Sequence, residues 1–399
     1  SRTATKNEWK GLMEARESAQ IPLLIGTAGT CGTDSTVDWF LEITQELAKE
    51  LNQSLKIVII RCSQEKSKVA EAYSDGKIQP LPNAPTLSKE IIINCTNIVA
   101  LAGIEQVIDA LKEKPDIIIA GRTTDTAIIA ALPVMRGIDP GLAWHGAKIA
   151  ECGALCTTNP LSGVIIVDFN NDSFSIEPMA QNAMATPETV SAHMLYENTN
   201  PFILYEPGGY LDTKSASYIA ESNRKVRVQN SKWIPDHKYK VKIEGTVLSG
   251  YQKIIVTIIR DNYYVSNVHK WVADIKSKCS KLVSERLGLK TKDFSIEMRL
   301  IGKNASFGEL ETQKSNLFEI GVMTLITAKT QPITDEISQM LNPLLLHHPL
   351  SSNEELPTFA FPFSPADIRR GPIYNFCLHH TWELNEPLEV FKKEIRHIA

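Results

Sequence analysis

The chain has 399 residues, with 42 Lys and Arg against 46 Asp and Glu, a formal net charge of −4, and 43% hydrophobic and 22% charged residues. This ordinary globular balance excludes a disordered, fibrous or disulfide-scaffold protein and offers no concentrated basic surface for nucleic acid. No apolar run approaches the ~20 residues of a bilayer span, so neither nucleic acid nor a membrane is an expected partner.

The chain opens without Met and without a charged-then-apolar leader, in a polar, helix-like stretch over residues 1–20; its natural start is expected upstream. Residues 21–26 (IPLLIG), 56–61 (KIVIIR) and 116–120 (DIIIA) are short continuous apolar runs, the pattern of strands buried on both faces. Between and after them, helical spacing predicts helices over 36–51, 65–75, 96–112, 126–135 and 146–157, with Asp34 or Ser35 capping the first. Three prolines make 80–85 a loop. The repeated strand-loop-helix order predicts an α/β fold: an N-terminal, mostly parallel, Rossmann-like sheet with helices on both faces. Residues 239–244 (YKVKIE) then alternate, Ser249 and Gly250 are read as a turn, and strands are expected at 253–260, 294–301 and 318–328, with helices at 268–287 and 333–345. This order predicts a smaller C-terminal α+β domain with an antiparallel sheet. The boundary falls in a polar stretch around Pro235, giving domains 1–235 and 236–399.

Seven cysteines (Cys31, Cys62, Cys95, Cys152, Cys156, Cys279, Cys377) are scattered and form no C-x-x-C pair, which reads as reduced thiols in a cytoplasm.

Gly26, Gly29 and Gly32, with Thr30 between them, form a G-x-x-G-x-x-G loop between a buried strand and a helix start. The spacing is neither the dinucleotide nor the Walker fingerprint, and Arg61 and Cys62 stand where a ribose-binding acid would be, so no nicotinamide cofactor is expected. The loop is either an anion site at the helix N-terminus or a tight turn. A second loop, Gly121-Arg122-Thr123-Thr124-Asp125, also follows a buried strand and would face the same crevice. Arg122 offers a planar fork for carboxylate or phosphate. Asp125 could cap the helix, take a proton, or hold Arg122. In HGAKIAECGALC, Lys148 or Glu151 could act as acid or base, or form an ion pair on a helix face. His145 with Cys152 and Cys156 lacks the usual zinc spacings, and no metal site is expected. Glu206, Gly208, Gly209 and Asp212 bring carboxylates to a tight loop, or make an ordinary turn. His347, His348, His379 and His380 read as partly buried structural histidines. No Gly-x-Ser-x-Gly elbow supports a serine triad.

LLIGTAGTCGTD, IIIAGRTTDTAIIAALPVMRGI, AKIAECGALC, ATPETVSAHMLYENTNPFILYEPGGYLD and RGPIYNFCLHHTWEL, in that order, resemble the acyclic terpene utilisation (AtuA-type) family over nearly the whole chain. The resemblance implies breakdown of citronellol- and geraniol-type terpenes or small organic acids, an extra N-terminal strand and loop, and a small partner protein. Its matching positions are the loop from Gly26 to Asp34, Arg122, Asp125, Glu151, Cys152, Glu206, Gly208 and Gly209.

These readings combine into an expected cytoplasmic catabolic enzyme, a lyase or hydratase acting on a small carboxylate or acyl-CoA, and a homo-oligomer. Gly26, Gly29, Thr30, Gly32, Arg122, Thr123, Gly208 and Gly209 would hold the anionic substrate, and Asp125, Glu151 or Glu206 would move the proton. No cofactor is expected, with a CoA thioester as one candidate substrate. The alternatives are a non-catalytic subunit working with the small partner, and a metal-dependent hydrolase using His145, Cys152 and Cys156.

Overall fold

A computed structural model describes residues 1–313 and 316–398. Lys314, Ser315 and Ala399, within the expected second domain, lie outside the described residues. By contacts the chain forms two compact units: Ser1–Thr246 with the stretch from Phe376 on, and Val247–Asn375. The chain passes between them within two long strands, Lys240–Ile259 and Asp367–Glu383.

The fold is mixed α/β, with parallel and antiparallel sheets. In the first unit, strands Leu23–Ile25, Ile117–Ala120, Leu55–Arg61 and Lys392–Ile398 lie side by side in that order. The first three run parallel and the last is antiparallel. Their near-continuous Ile and Val content follows from burial on both faces. Successive side chains point opposite ways. Ile57, Ile59, Ile117 and Ile119 therefore pack with Trp9, Val37, Phe40 and Leu47, from helices Arg2–Ala19 and Asp34–Glu50. Val58, Ile60, Ile118 and Ala120 pack with Val107, Ala130 and Trp144, from helices Ile104–Leu111, Ala127–Met135 and Pro140–Ala150. The closing strand at 392–398, expected with the second domain, instead pairs in this first sheet.

Pro140–Ala150 is the central helix of this unit. Every residue from Gly141 to Ile149 is buried, His145 and Lys148 included. Two small antiparallel sheets belong to the same unit. One is ordered Ser217–Ala220, Val226–Gln229, Ser173–Pro178, Ile165–Phe169; the other is Lys232–Pro235, Gly209–Asp212, Ile203–Glu206. Glycines let them approach the helix: a Cβ at Gly141 would lie 2.6 Å from the Ser231 carbonyl, and one at Gly146 would lie 2.6 Å from the Phe169 ring.

The second unit is an antiparallel layer of Phe294–Ile301, Ile320–Ala328 and the distal half of Lys240–Ile259. Strict alternation over Ile320–Ala328 puts one face in the core. Helices Val268–Leu287 and Gln331–His347 bring Trp271, Ile275, Cys279, Ile337 and Leu341 to that face. Among the described residues, no helix is long and apolar enough to cross a membrane.

Three element readings need correction. The expected helix over 96–112 is a strand, Asn97–Ala100, followed by a shorter helix, Ile104–Leu111; Gly103 separates them. Asn97–Ala100 pairs antiparallel with residues 243–246, a distant partner that overrides local helical spacing. The expected turn at Ser249 and Gly250 is continuous strand, and Gly250 absorbs a local distortion at φ 145°. The expected helix over 146–157 is the end of Pro140–Ala150, then a 3₁₀ turn, Gly153–Cys156, entered through Gly153 at φ 56°.

Candidate active site

The Gly26 loop and the 121–126 loop leave neighbouring parallel strands and pack backbone against backbone. The Ala28 N–H donates to the Ala120 carbonyl at 3.0 Å. A Cβ at Gly26 would strike the Thr123 side chain, and one at Gly32, held at φ 66°, would strike the Arg122 backbone. These glycines thus serve the close approach of the two loops. The helix start behind them carries its own anion: Asp34 sits in its first turn, and its carboxylate accepts from the Ser63 N–H at 3.3 Å.

Arg122 lines a cavity of about 310 Å³ with Thr30, Cys31, Asn97 and Glu244. Its Nε donates to Glu244 at 3.1 Å, and one Nη donates to Thr27 at 3.1 Å and to the Thr123 carbonyl at 3.3 Å. Lys242 approaches the other Glu244 oxygen at 2.7 Å. Burial pushes the Glu244 carboxyl up, but Lys242 and Arg122 more than offset this and hold it below the usual range. The guanidinium expected to hold substrate is therefore anchored in the chain Arg122–Glu244–Lys242. Asp125 is 63% exposed and 3.8 Å from Arg122. It does not cap the helix: Thr124 Oγ1 accepts from the Ala127 N–H at 3.1 Å.

The candidate acid of the site is Glu206, a half-buried residue with one carboxylate oxygen shut from solvent. It ends strand Ile203–Glu206, and the turn through Gly208, at φ 83°, pairs it with Gly209. Gly208 gives room to the Tyr239 ring, and Gly209 lies against the Ile234 carbonyl. One Glu206 oxygen accepts from Thr126 Oγ1; the other is shut from solvent and has no hydrogen-bond partner among the described residues. Burial pushes this carboxyl up to about 7; the nearby Glu151 charge adds to the rise, while Thr126, Thr124 and Lys148 oppose it. Glu206 lines a second cavity, of about 380 Å³, with Thr124, Tyr205, Gly209, Lys240 and Lys242. Arg122 and Glu206 therefore face different cavities, linked by the Arg122–Glu244–Lys242 chain.

Behind Glu206 lies a buried polar cluster. Lys148, 4% exposed, donates to Glu151 and to the Tyr196 carbonyl at 3.0 Å, and sits 5.7 Å over the Tyr196 ring. His193, 1% exposed, has its Nε2 4.0 Å from Glu151. Burial and the Lys148 charge hold this imidazole down to about 4, so it is neutral at pH 7. The sequence reading did not single out His193. It lies in the short 3₁₀ turn His193–Leu195, and only tertiary packing brings it to Glu151 and Cys152.

The set His145, Cys152 and Cys156 is not assembled. His145 Nδ1 is 2.7 Å from Ser231 Oγ, its Nε2 is 3.2 Å from the Tyr218 hydroxyl, and Cys156 is turned to the Gly153 carbonyl. His348 and His380 are buried in packing roles: Trp271 donates to the His348 carbonyl at 2.9 Å. A larger cavity, about 890 Å³, is lined by Leu24, Ile128, Leu132, Val167 and Phe169 and holds none of the expected site residues. Of its charged lining residues, Asp168 and Lys225 pair at 2.8 Å, and Arg136 and Glu221 line it as well.

Fold and site together define a mixed α/β protein with a desolvated carboxylate at a lysine-flanked cavity. The chain belongs to the acyclic terpene utilisation (AtuA) family, whose model matches residues 20–358. No curated protein and no solved structure matches it.

Proposed function

We propose that this protein is a catabolic enzyme of acyclic terpene utilisation, a lyase or hydratase acting on a small carboxylate or a CoA thioester, with Glu206 as its acid–base group. The observation that carries the reading is the unpartnered, buried Glu206 oxygen at the cavity, on a carboxyl raised to about 7. A group poised near neutral pH accepts and returns a proton with little penalty in either direction. As carboxylate, Glu206 takes the proton α to the substrate carbonyl, the electron pair moves to form the double bond between the α- and β-carbons, and Glu206 returns that proton to the departing β-hydroxyl, which leaves as water. Hydration runs these steps in reverse. Lys240 and Lys242 flank the same cavity, Lys240 paired with Asp236 at 3.2 Å and Lys242 with Glu244 at 2.7 Å, and Lys242 is the cation assigned to the substrate anion.

The test is exchange and turnover. The protein is incubated in D₂O with a panel of β-hydroxy carboxylates and their CoA thioesters, and NMR follows deuterium at the α-carbon. The wild type is expected to exchange at least one substrate; Glu206→Gln is expected to lose exchange by roughly a hundredfold or more. Full exchange in folded Glu206→Gln would sink the assignment. The buried carboxylate at a cavity also weighs against the alternative of a non-catalytic subunit, which has no use for a costly desolvated acid.

A further inference from the structure

We propose that Glu151, Cys152 and His193 form a binding site for a divalent transition-metal ion, zinc by the chemistry of its donors. One oxygen, one sulfur and one nitrogen ligand atom lie within 4.8 Å of one another, from three residues brought together only by the fold. Glu151 caps the end of helix Pro140–Ala150 and Cys152 follows it; His193 arrives from the 3₁₀ turn after helix Pro187–Ala192. Three protein donors of this mix leave a fourth tetrahedral position open, the arrangement of zinc sites that act on a ligand. Borderline-soft zinc suits a thiolate, an imidazole and a carboxylate better than magnesium or calcium, which prefer oxygen alone.

The second, independent observation is His193 itself. Among the described residues its Nε2 is buried without a hydrogen-bond partner, 4.0 Å from the Glu151 carboxylate. A buried acceptor left empty is costly unless something fills it. The Tyr196 ring stacks on His193 with centroids 5.5 Å apart and fixes the plane of the imidazole. Zinc bonds of about 2.0–2.3 Å set tetrahedral donors about 3.5 Å apart, so side-chain rotation of roughly an ångström closes the site. Binding releases the Cys152 proton to solvent, and the thiolate forms the metal–sulfur bond with no change of oxidation state.

Lys148 is the built-in competitor. Its ammonium holds Glu151 in the metal-free protein, and it keeps the Tyr196 carbonyl and ring face when the ion takes Glu151 over. Removing that positive charge should therefore tighten metal binding, an effect that damage to the fold would not produce.

The experiment uses the full chain carrying Cys31→Ser, which removes the exposed thiol, stripped of metal. Cobalt(II) alone is titrated in and read by its thiolate charge-transfer band; zinc affinity follows by competition with a chromophoric chelator. A stoichiometric band is expected, lost in Cys152→Ser. His193→Gln should weaken zinc by more than the roughly 10–100-fold of an outer-shell change, and Lys148→Met should strengthen it. Absence of the band, its survival in Cys152→Ser, or unchanged zinc affinity in His193→Gln overturns the site. Glu206→Gln should bind metal normally while losing exchange, so failure of the metal site and failure of the acid–base assignment are read separately.

Discussion

His145 is fully buried and Glu206 has one carboxylate oxygen shut from solvent, and their surroundings give these two ionisable groups opposite fates. His145 has a partner on each ring nitrogen, and burial holds it down to about 3. Its neutral form is part of the fold. The unfolded chain takes up its proton near pH 6.5, so the stability His145 contributes is complete above 6.5 and is lost as pH falls toward 3. By pH 4 the loss is about 3 kcal/mol, and urea unfolding from pH 7 to 4 should show a shallower decline in His145→Gln. Glu206 runs the other way. Its raised value means the fold favours the protonated acid; that stability is present below the unfolded value of 4.5 and disappears as pH rises through about 7. Glu206→Gln should therefore raise the melting temperature at pH 8 and leave it nearly unchanged at pH 4, a difference of about 3 kcal/mol in stability. The same titration should set a limb near pH 7 in the rate profile. Lys242→Met should raise KM for an anionic substrate more than it lowers kcat, because Lys242 faces the cavity without holding Glu206.

The paired loops show where local sequence is a faithful guide. The glycine pattern between a buried strand and a helix is visible in the primary structure, and the strand-to-helix turn forms there. What the spacing could not say is that Gly26 and Gly32 serve the neighbouring loop. Gly32→Ala would force both a positive φ and a clash with Arg122 backbone; a loss of about 3 kcal/mol or more is expected from urea unfolding. Gly76→Ala, at φ 73° but in open space, should cost only about 1 kcal/mol. If the two cost the same, the close approach of the loops is not what Gly32 provides. The 96–112 stretch teaches the converse. Its apolar spacing fits a helix, but residues 97–100 meet a partner strand nearly 150 positions away, and pairing wins over propensity.

The strand at 392–398 covers the edge of Leu55–Arg61 along seven residue pairs, Arg61 Nε reaching Glu394 at 2.7 Å. Deleting residues 392–398 should expose that edge and produce concentration-dependent association in light scattering, with a lowered melting temperature. No local signal told where this strand belongs, since an edge position depends on a partner more than 330 residues earlier. Much else was legible along the chain. The three buried parallel strands, most helices, both glycine loops and the family resemblance follow from runs and periods of apolar residues and from short motifs. These are contacts between near neighbours, and spacing encodes them. Tertiary structure alone decided how the three candidate carboxylates differ. Asp125, Glu151 and Glu206 are alike as carboxylates in the sequence, but the fold exposes the first, ties the second to Lys148 and desolvates the third. It also exchanges His145 for His193 beside Cys152. Desolvation and the company of distant charges set the reactivity of an ionisable group, and both arise only once the chain has closed around it.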